Sequence, residues 1–369
     1  MIIDSIEIYY VKHPLISPWR TAYGDDADIY SVMVRMDSGS YSGWSESTPF
    51  YAPTYSTEFA LGAYHLVKDI FAPMLVGKEI SSAPELLERL KMFKGNPFAK
   101  AAVEIAWWTL EAEIQGKPLH QLIGGKRDEV EVGADFGVTD SMDELLGQIQ
   151  GAIDAGFKRV KLKFRPGWDI DMLREVRRHF PDFTFHIDCN SGYDLSDLPL
   201  FKEVDKFHLA MIEQPLFHTD LHDHAKLQAQ IETPICLDES CNSVRAARIA
   251  IEIGACRYMN IKPGRVGGLQ NAIEIHNLCK DAGIPCWVGG MLESSVGAAI
   301  CLALATLDNF VYPNDIFPSD RFYREEISEQ KLELSGPGLM KVSDVPGISY
   351  EPIPERLEER TISKALISK

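Results

Sequence analysis

The sequence predicts an α/β protein in which a parallel β/α barrel follows a smaller α+β domain. From about residue 130, apolar strand candidates alternate with helical patterns at a period near 25 residues, the signature of a parallel barrel. Ahead of them, alternating strands are followed by long helical stretches. No glycine-rich phosphate loop follows the first strand, which removes the main support for an open nucleotide-binding sheet.

Residues 2–12 and 28–36 alternate in strand fashion, and 41–47 resumes that pattern after the turn Asp37-Ser38-Gly39-Ser40, so three antiparallel strands are expected. Helical patterns follow at 57–74, 83–93 and 97–115, with Trp107 and Trp108 read as core. This first domain covers 1–125. The barrel, 126–324, draws its strands from 131–137, 159–164, 184–188, 209–213, 234–237, 257–261, 285–288 and 309–312. Helical patterns at 141–155, 169–179, 243–253 and 267–282 lie between them, and Gly156, Gly254 and Gly283 stand where left-handed C-caps are wanted. The remainder, 325–369, has no further βα unit and is expected to pack back on the first domain.

At 369 residues, with 45% hydrophobic and 25% charged residues, the chain has the balance of a soluble globular protein with a large core. A net charge of -17 argues against non-specific nucleic-acid binding. Apolar runs are too short to span a bilayer, and Met1-Ile2-Ile3-Asp4 lacks the start of a signal peptide. Seven scattered cysteines with no CxxC pair suggest reduced thiols in a cytoplasm. Cys189, Cys236 and Cys286 are read as core packing.

The chemistry sits at the strand ends. Asp188, Glu213 and Asp238 each close an apolar strand candidate, 25 residues apart. In a β/α barrel those ends converge on one mouth. A lone Asp there caps the next helix, but three acids in register, including a Glu, repel one another unless a cation lies among them. The all-oxygen set favours Mg²⁺, with Mn²⁺ as the alternative. Lys161 and Lys163 lie two apart on one strand and share a face, while Lys262 follows the strand on the opposite wall. A lysine on each side of a metal-held substrate suits proton abstraction next to a carboxylate. Lys163 is the better base and Lys161 the electrostatic helper. The base needs a lowered proton affinity, which the neighbouring ammonium and the metal are expected to supply. The partner is thus a small-molecule carboxylate, with no nucleic acid and no membrane.

With these residues in place the chain resembles the enolase superfamily, nearest the group of o-succinylbenzoate synthases and N-acylamino acid racemases. The likeness runs through Lys161-Leu162-Lys163, Asp188-Cys189-Asn190, Ile212-Glu213-Gln214-Pro215 and Leu237-Asp238-Glu239-Ser240. It continues in Asn260-Ile261-Lys262-Pro263-Gly264-Arg265, Gly289-Gly290-Met291 and Ser319-Asp320-Arg321. The resemblance implies a modified (β/α)7β TIM-like barrel lacking its last helix, under an N-terminal α+β capping domain. It implies Mg²⁺ on Asp188, Glu213 and Asp238, and Lys163 and Lys262 as acid/base groups on opposite faces. Syn dehydration in menaquinone biosynthesis, or racemisation of N-acylated amino acids, would follow, in a cytoplasmic homo-oligomer.

The resemblance also implies a flexible cap loop at Pro18-Trp19-Arg20-Thr21-Ala22-Tyr23-Gly24 and a second loop at Phe50-Tyr51-Ala52-Pro53-Thr54-Tyr55. Trp19, Tyr51 and Met291 would be apolar walls, with Tyr55, Asn190 and Arg265 also at the substrate. Two positions depart from the pattern. Asp135 stands where the family more often has a small hydroxyl residue, and Ser294-Ser295 stands where Thr-Gly is usual. A carboxylate at 135 facing the mouth would disfavour a succinyl tail and favour a cationic substrate.

Overall fold

The computed structural model describes residues 1–21 and 23–369. The cap begins with β1 (Ser5–Arg20), β2 (Asp25–Ser38) and β3 (Tyr41–Ser47), an antiparallel meander. Of the expected cap loop, Ala22 lies outside the described residues. The sheet packs on a helical layer: Ala60–Leu66 running on to Leu75, Ala83–Leu90, and the long helix Pro97–Gln115. Ser82 accepts the Glu85 N–H at the start of the second of these. Gly116, in the left-handed region at φ 62°, ends the third. Gly43 has no room for a side chain, since a Cβ there would meet the Leu110 backbone nitrogen at 2.2 Å. The sheet and helix therefore touch backbone to backbone.

After β4 (Glu129–Glu131), seven parallel strands follow: β5 (Ala134–Phe136), β6 (Val160–Lys163), β7 (Phe185–Asp188), β8 (Ile212–Glu213), β9 (Ile235–Leu237), β10 (Tyr258–Ile261) and β11 (Cys286–Val288). They pair in sequence order as one curled sheet. The strand expected over 131–137 is broken at Val132-Gly133, with β4 instead pairing antiparallel with β12 (Leu339–Lys341). The eighth strand, expected at 309–312, is reduced to bridges. Cys286 pairs with Phe310 and Val132 with Asn314, which closes the ring between β11 and β5. Pro313 lacks the N–H that a regular ladder would need here.

Gly156, Gly254 and Gly283 all adopt positive φ after their helices. The last unit, helix Ser295–Leu304, precedes the eighth segment, and among the described residues no α-helix follows that segment before Pro354–Arg360, only the 3-10 turn Ser319–Arg321. From there the chain forms β12, a short helix Pro354–Arg360, and β13 (Thr361–Ser368), which joins the cap sheet as the outer neighbour of β1. Periodicity had signalled a tail but not this strand. All seven cysteines are buried and free. No helix among the described residues is long and apolar enough to cross a membrane.

Candidate active site

Strand register builds the site. Asp135 lies level with Lys161 across β5 and β6. Lys163 is level with Asp188, and Asp188 with Glu213. Asp238 follows β9 directly and Lys262 follows β10. Because side chains alternate along a strand, Leu162 packs outward on the helices while Lys161 and Lys163 face the barrel axis. The turns beyond the strands are held in unusual backbone: Asn190, Ser191, Gln214 and Leu292 all have positive φ. Gln214 ties these ends together, its Oε1 accepting the N–H groups of Asp238 (3.0 Å) and Ser240 (3.1 Å).

A cavity of about 40 Å³ lies among Trp19, Thr21, Tyr23, Phe50, Tyr55 and the three lysines. That is far below the roughly 300–1,000 Å³ of ordinary ligand pockets. The cap residues thus pack closely over the three lysines. Tyr23 from the first loop donates a hydrogen bond to Glu239 at the barrel mouth. Tyr55 from the second donates to Asp238 Oδ1 at 2.7 Å. A wider cleft of about 390 Å³ abuts the other side of Tyr55, Glu239 and Arg265.

Lys163 Nζ donates to Asp188 Oδ2 at 2.7 Å, and Lys262 Nζ to Asp238 Oδ2 at 2.9 Å. The Lys163 ammonium lies 5.7 Å from the Trp19 ring centre, and that of Lys262 lies 4.5 Å from the Tyr55 ring. Both lysines are 6% exposed. Asn190 donates twice to Asp188, at 3.0 Å each. Asn260 donates to Glu213 Oε1 at 2.7 Å. Arg265 donates to Asp238 and, at 3.1 Å, to the Tyr55 hydroxyl oxygen.

The other carboxylate oxygen, Glu213 Oε2, is buried with no hydrogen-bond partner. That oxygen has only longer contacts, to His186 Nε2 at 3.5 Å and the Lys161 ammonium at 3.6 Å, and an acceptor left without a hydrogen bond beside two further carboxylates fits a hard divalent cation. Lys163 meanwhile holds Asp188 Oδ2, and Lys262 and Arg265 hold the two oxygens of Asp238.

Lys161 is ringed by acids: Asp135 at 3.2 Å, Glu213 at 3.6 Å, Asp188 at 3.7 Å, and Asp315 in direct ion-pair contact. Burial alone would lower its proton affinity, but those carboxylates hold it well above the ordinary lysine range. Burial also acts on Lys262, where Tyr55, Glu213 and Glu239 outweigh it and raise the value. Around Lys161 and Lys262 the carboxylates thus outweigh both burial and the neighbouring ammonium groups. Burial lifts Asp135 above the usual carboxylate range, against Lys161 and Lys163.

Of the residues expected at the substrate, Trp19, Tyr55, Asp135, Asn190 and Met291 line the cavity. Arg265 is buried behind Asp238 and lines the adjoining cleft. Tyr51 is not brought in. It is 61% exposed and packs on Tyr30, with ring centres 4.9 Å apart. Positive φ at Phe50 turns the loop so that Phe50 points inward and Tyr51 outward. Ser294 lies outside the cavity, capping helix Ser295–Leu304.

Asp315 is not marked by the sequence pattern, and Asn260, part of the quoted motif, has no site role assigned to it there. Asn260 lies two residues before Lys262, a same-face signal that was available. Asp315 ends the irregular eighth segment, whose apolar run stops three residues earlier.

A mandelate racemase/muconate lactonizing enzyme N-terminal domain model matches residues 5–124, and an enolase C-terminal domain-like model matches residues 144–356. An o-succinylbenzoate synthase of Geobacillus kaustophilus is 41% identical over 360 residues, covering 97% of this chain and 96% of that protein. An N-succinylamino acid racemase of Thermus thermophilus is 40% identical over 348 residues, 94% of each chain. Among solved structures, an enolase superfamily member from Listeria innocua superposes with a TM-score of 0.95 at 36% identity, covering 100% of this chain and 99% of that one. Matched through both domains and along nearly the whole of these relatives, the chain belongs to the enolase superfamily and is one of its enzymes.

Proposed function

We propose that this enzyme removes the proton α to a substrate carboxylate, with o-succinylbenzoate synthase-like syn dehydration as its reaction. The observation that carries this reading is the pair Lys163 and Lys262, both buried and both lining one cavity from opposite walls. Asp188, Glu213 and Asp238 would hold Mg²⁺, or Mn²⁺ in its place. When bound, such a cation supplies positive charge against the two oxygens of an enediolate.

The rest falls to the chain's own groups. Lys163, as free amine, takes the α-proton on Nζ and then returns it to the departing hydroxyl, so that water leaves from the same face. Lys262 stays charged and faces the growing negative charge. Lys161, held protonated by its ring of acids, adds a fixed positive charge on the Lys163 side. Trp19, Tyr55 and Met291 exclude water from the reacting carbon, and Asn190 and Arg265 hold Asp188 and Asp238 in place. Menaquinone biosynthesis, in the cytoplasm and by a homo-oligomer, completes this reading.

The same pair supports a second reaction. If Lys163 removes a proton from one face and Lys262 delivers one to the other, an N-acylated amino acid is racemised. The activity named for the Thermus relative favours keeping this reading. Incubation in D₂O with Mg²⁺ and either substrate class, followed by proton NMR, tests the shared step. The wild type should remove the α-proton, read as deuterium exchange in the N-acylated amino acid and as dehydration of the synthase substrate, and Lys163→Ala and Lys262→Ala should slow both by about 1,000-fold or more. Exchange retained by Lys163→Ala would sink the assignment.

A further inference from the structure

The catalytic lysines sit at the C-terminal ends of the strands. Three chain segments meet instead where the strands begin: the short helix Leu119–Leu122, the lead-in to β4, and the stretch after β12. Backbone hydrogen bonds fix them. Leu119 N–H donates to the Gly347 carbonyl at 3.0 Å, Gly347 N–H to Lys117 at 3.2 Å, and Val342 N–H to Asp128 at 2.9 Å. There His120, Asp128 and Asp344 converge, each offering a nitrogen or carboxylate oxygen within 4.8 Å of the other two.

Two carboxylates this close repel unless a cation offsets them. The cation at hand is weak: Lys341 approaches Asp344 at 3.7 Å with both side chains exposed. Asp128 makes no side-chain ion pair among the described residues. Arg127, its neighbour, is directed at the carbonyls of Phe310 and Asp308.

The second observation is His120 itself. Its ring reaches the two carboxylates, yet the residue is only 3% exposed and its Nδ1 is buried with no hydrogen-bond partner. A buried ring nitrogen without a partner is costly unless something binds there.

We propose that His120, Asp128 and Asp344 form a second divalent-metal site, separate from the catalytic carboxylates and selective for a Zn²⁺-class ion. One imidazole with two carboxylates suits a borderline transition metal, whereas Mg²⁺ prefers an all-oxygen set with several waters. The cation would tie the last helix of the cap to the lead-in of β4 and to the C-terminal segment. At the strand-start face of a barrel such a tether acts on stability rather than on chemistry.

The test uses the full-length enzyme, stripped with chelator, reloaded with saturating Mg²⁺ and equilibrated with Zn²⁺. Zinc per chain is measured by plasma mass spectrometry in wild type and in D128N/D344N, whose substitutions are on the surface. The wild type should hold about one more Zn²⁺ per chain. At about 100 times the dissociation constant, Zn²⁺ should raise the wild-type Tm by roughly 4 °C more than that of the variant. His120→Asn should show the same loss of zinc. Mg²⁺-dependent α-proton exchange should be equal in wild type and D128N/D344N, which separates this site from the catalytic one. Equal zinc content and equal Tm shifts in the two proteins would overturn the proposal.

Discussion

At the scale of one residue, the Asp135 carboxylate meets the Lys161 ammonium with one oxygen and leaves the other, Oδ1, buried and unpartnered beside the cavity. A second carboxylate on a substrate arm placed about 6 Å away would be repelled by roughly 3 kcal/mol at an effective dielectric near 20. Lys161 offsets part of that. Replacing Asp135 by Ser should therefore raise kcat/KM for the succinyl-bearing cyclohexadiene substrate by about tenfold. Wild-type efficiency that already matches D135S would count against this selective role. Gly289 acts by having no side chain: a Cβ there would stand 2.6 Å from Lys262 Cε and 2.3 Å from Asn260 Oδ1. Gly289→Ala should displace Lys262 and cut kcat by about 100-fold, the scale expected for a misplaced reacting group. Steady-state kinetics beside an unchanged far-ultraviolet CD spectrum would check it.

At the scale of the element, three buried glutamates act as caps for helices they do not belong to. Glu58 accepts from Phe98 N–H (2.8 Å) and Ala99 N–H (3.0 Å) at the start of Pro97–Gln115. Glu104 accepts from Leu269 and Gln270 at the start of Leu269–Asp281 (2.7 and 2.8 Å), and Glu46 from Ser294 and Gly297 (3.0 Å each) at Ser295–Leu304. The last two join cap to barrel. Glu104→Ala would orphan two N–H groups and should cost about 1–3 kcal/mol in denaturant unfolding. Burial pushes Glu104 up to about 7 from its ordinary 4.5. The folded protein thus holds this proton more tightly than the unfolded chain. Its contribution is complete below about pH 4.5 and is lost as pH rises toward 7. Glu104→Gln should flatten that part of the stability–pH curve, and an unchanged slope would refute the assignment. Local caps such as Ser82, Ser141 and Ser243 could be read from sequence because the acceptor lies three residues from its donor. Glu104 could not, since its partners lie 165 and 166 residues away.

At the scale of the whole molecule, the same contrast separates what periodicity showed from what it hid. Asp188, Glu213 and Asp238 stood out because each ends a strand in a repeating unit, and Lys161 and Lys163 because two residues span one pleat. Tyr23 meeting Glu239, or β13 pairing with β1 from the far end of the chain, depends on how the two domains dock and left no local mark. In the proposed reading that docking divides the work: strand ends carry the proton chemistry, and cap loops close over it. Interactions made by the cap should therefore act on substrate capture, and those of the barrel on turnover. Tyr23→Phe deletes one hydrogen bond to a buried carboxyl group, a loss of about 1.5–3 kcal/mol if that group is charged. It should raise KM by about tenfold or more with kcat within about twofold, whereas Lys262→Ala should collapse kcat. If Tyr23→Phe instead lowered kcat at unchanged KM, the loop would be acting in the transition state, and the division between cap and barrel would fail.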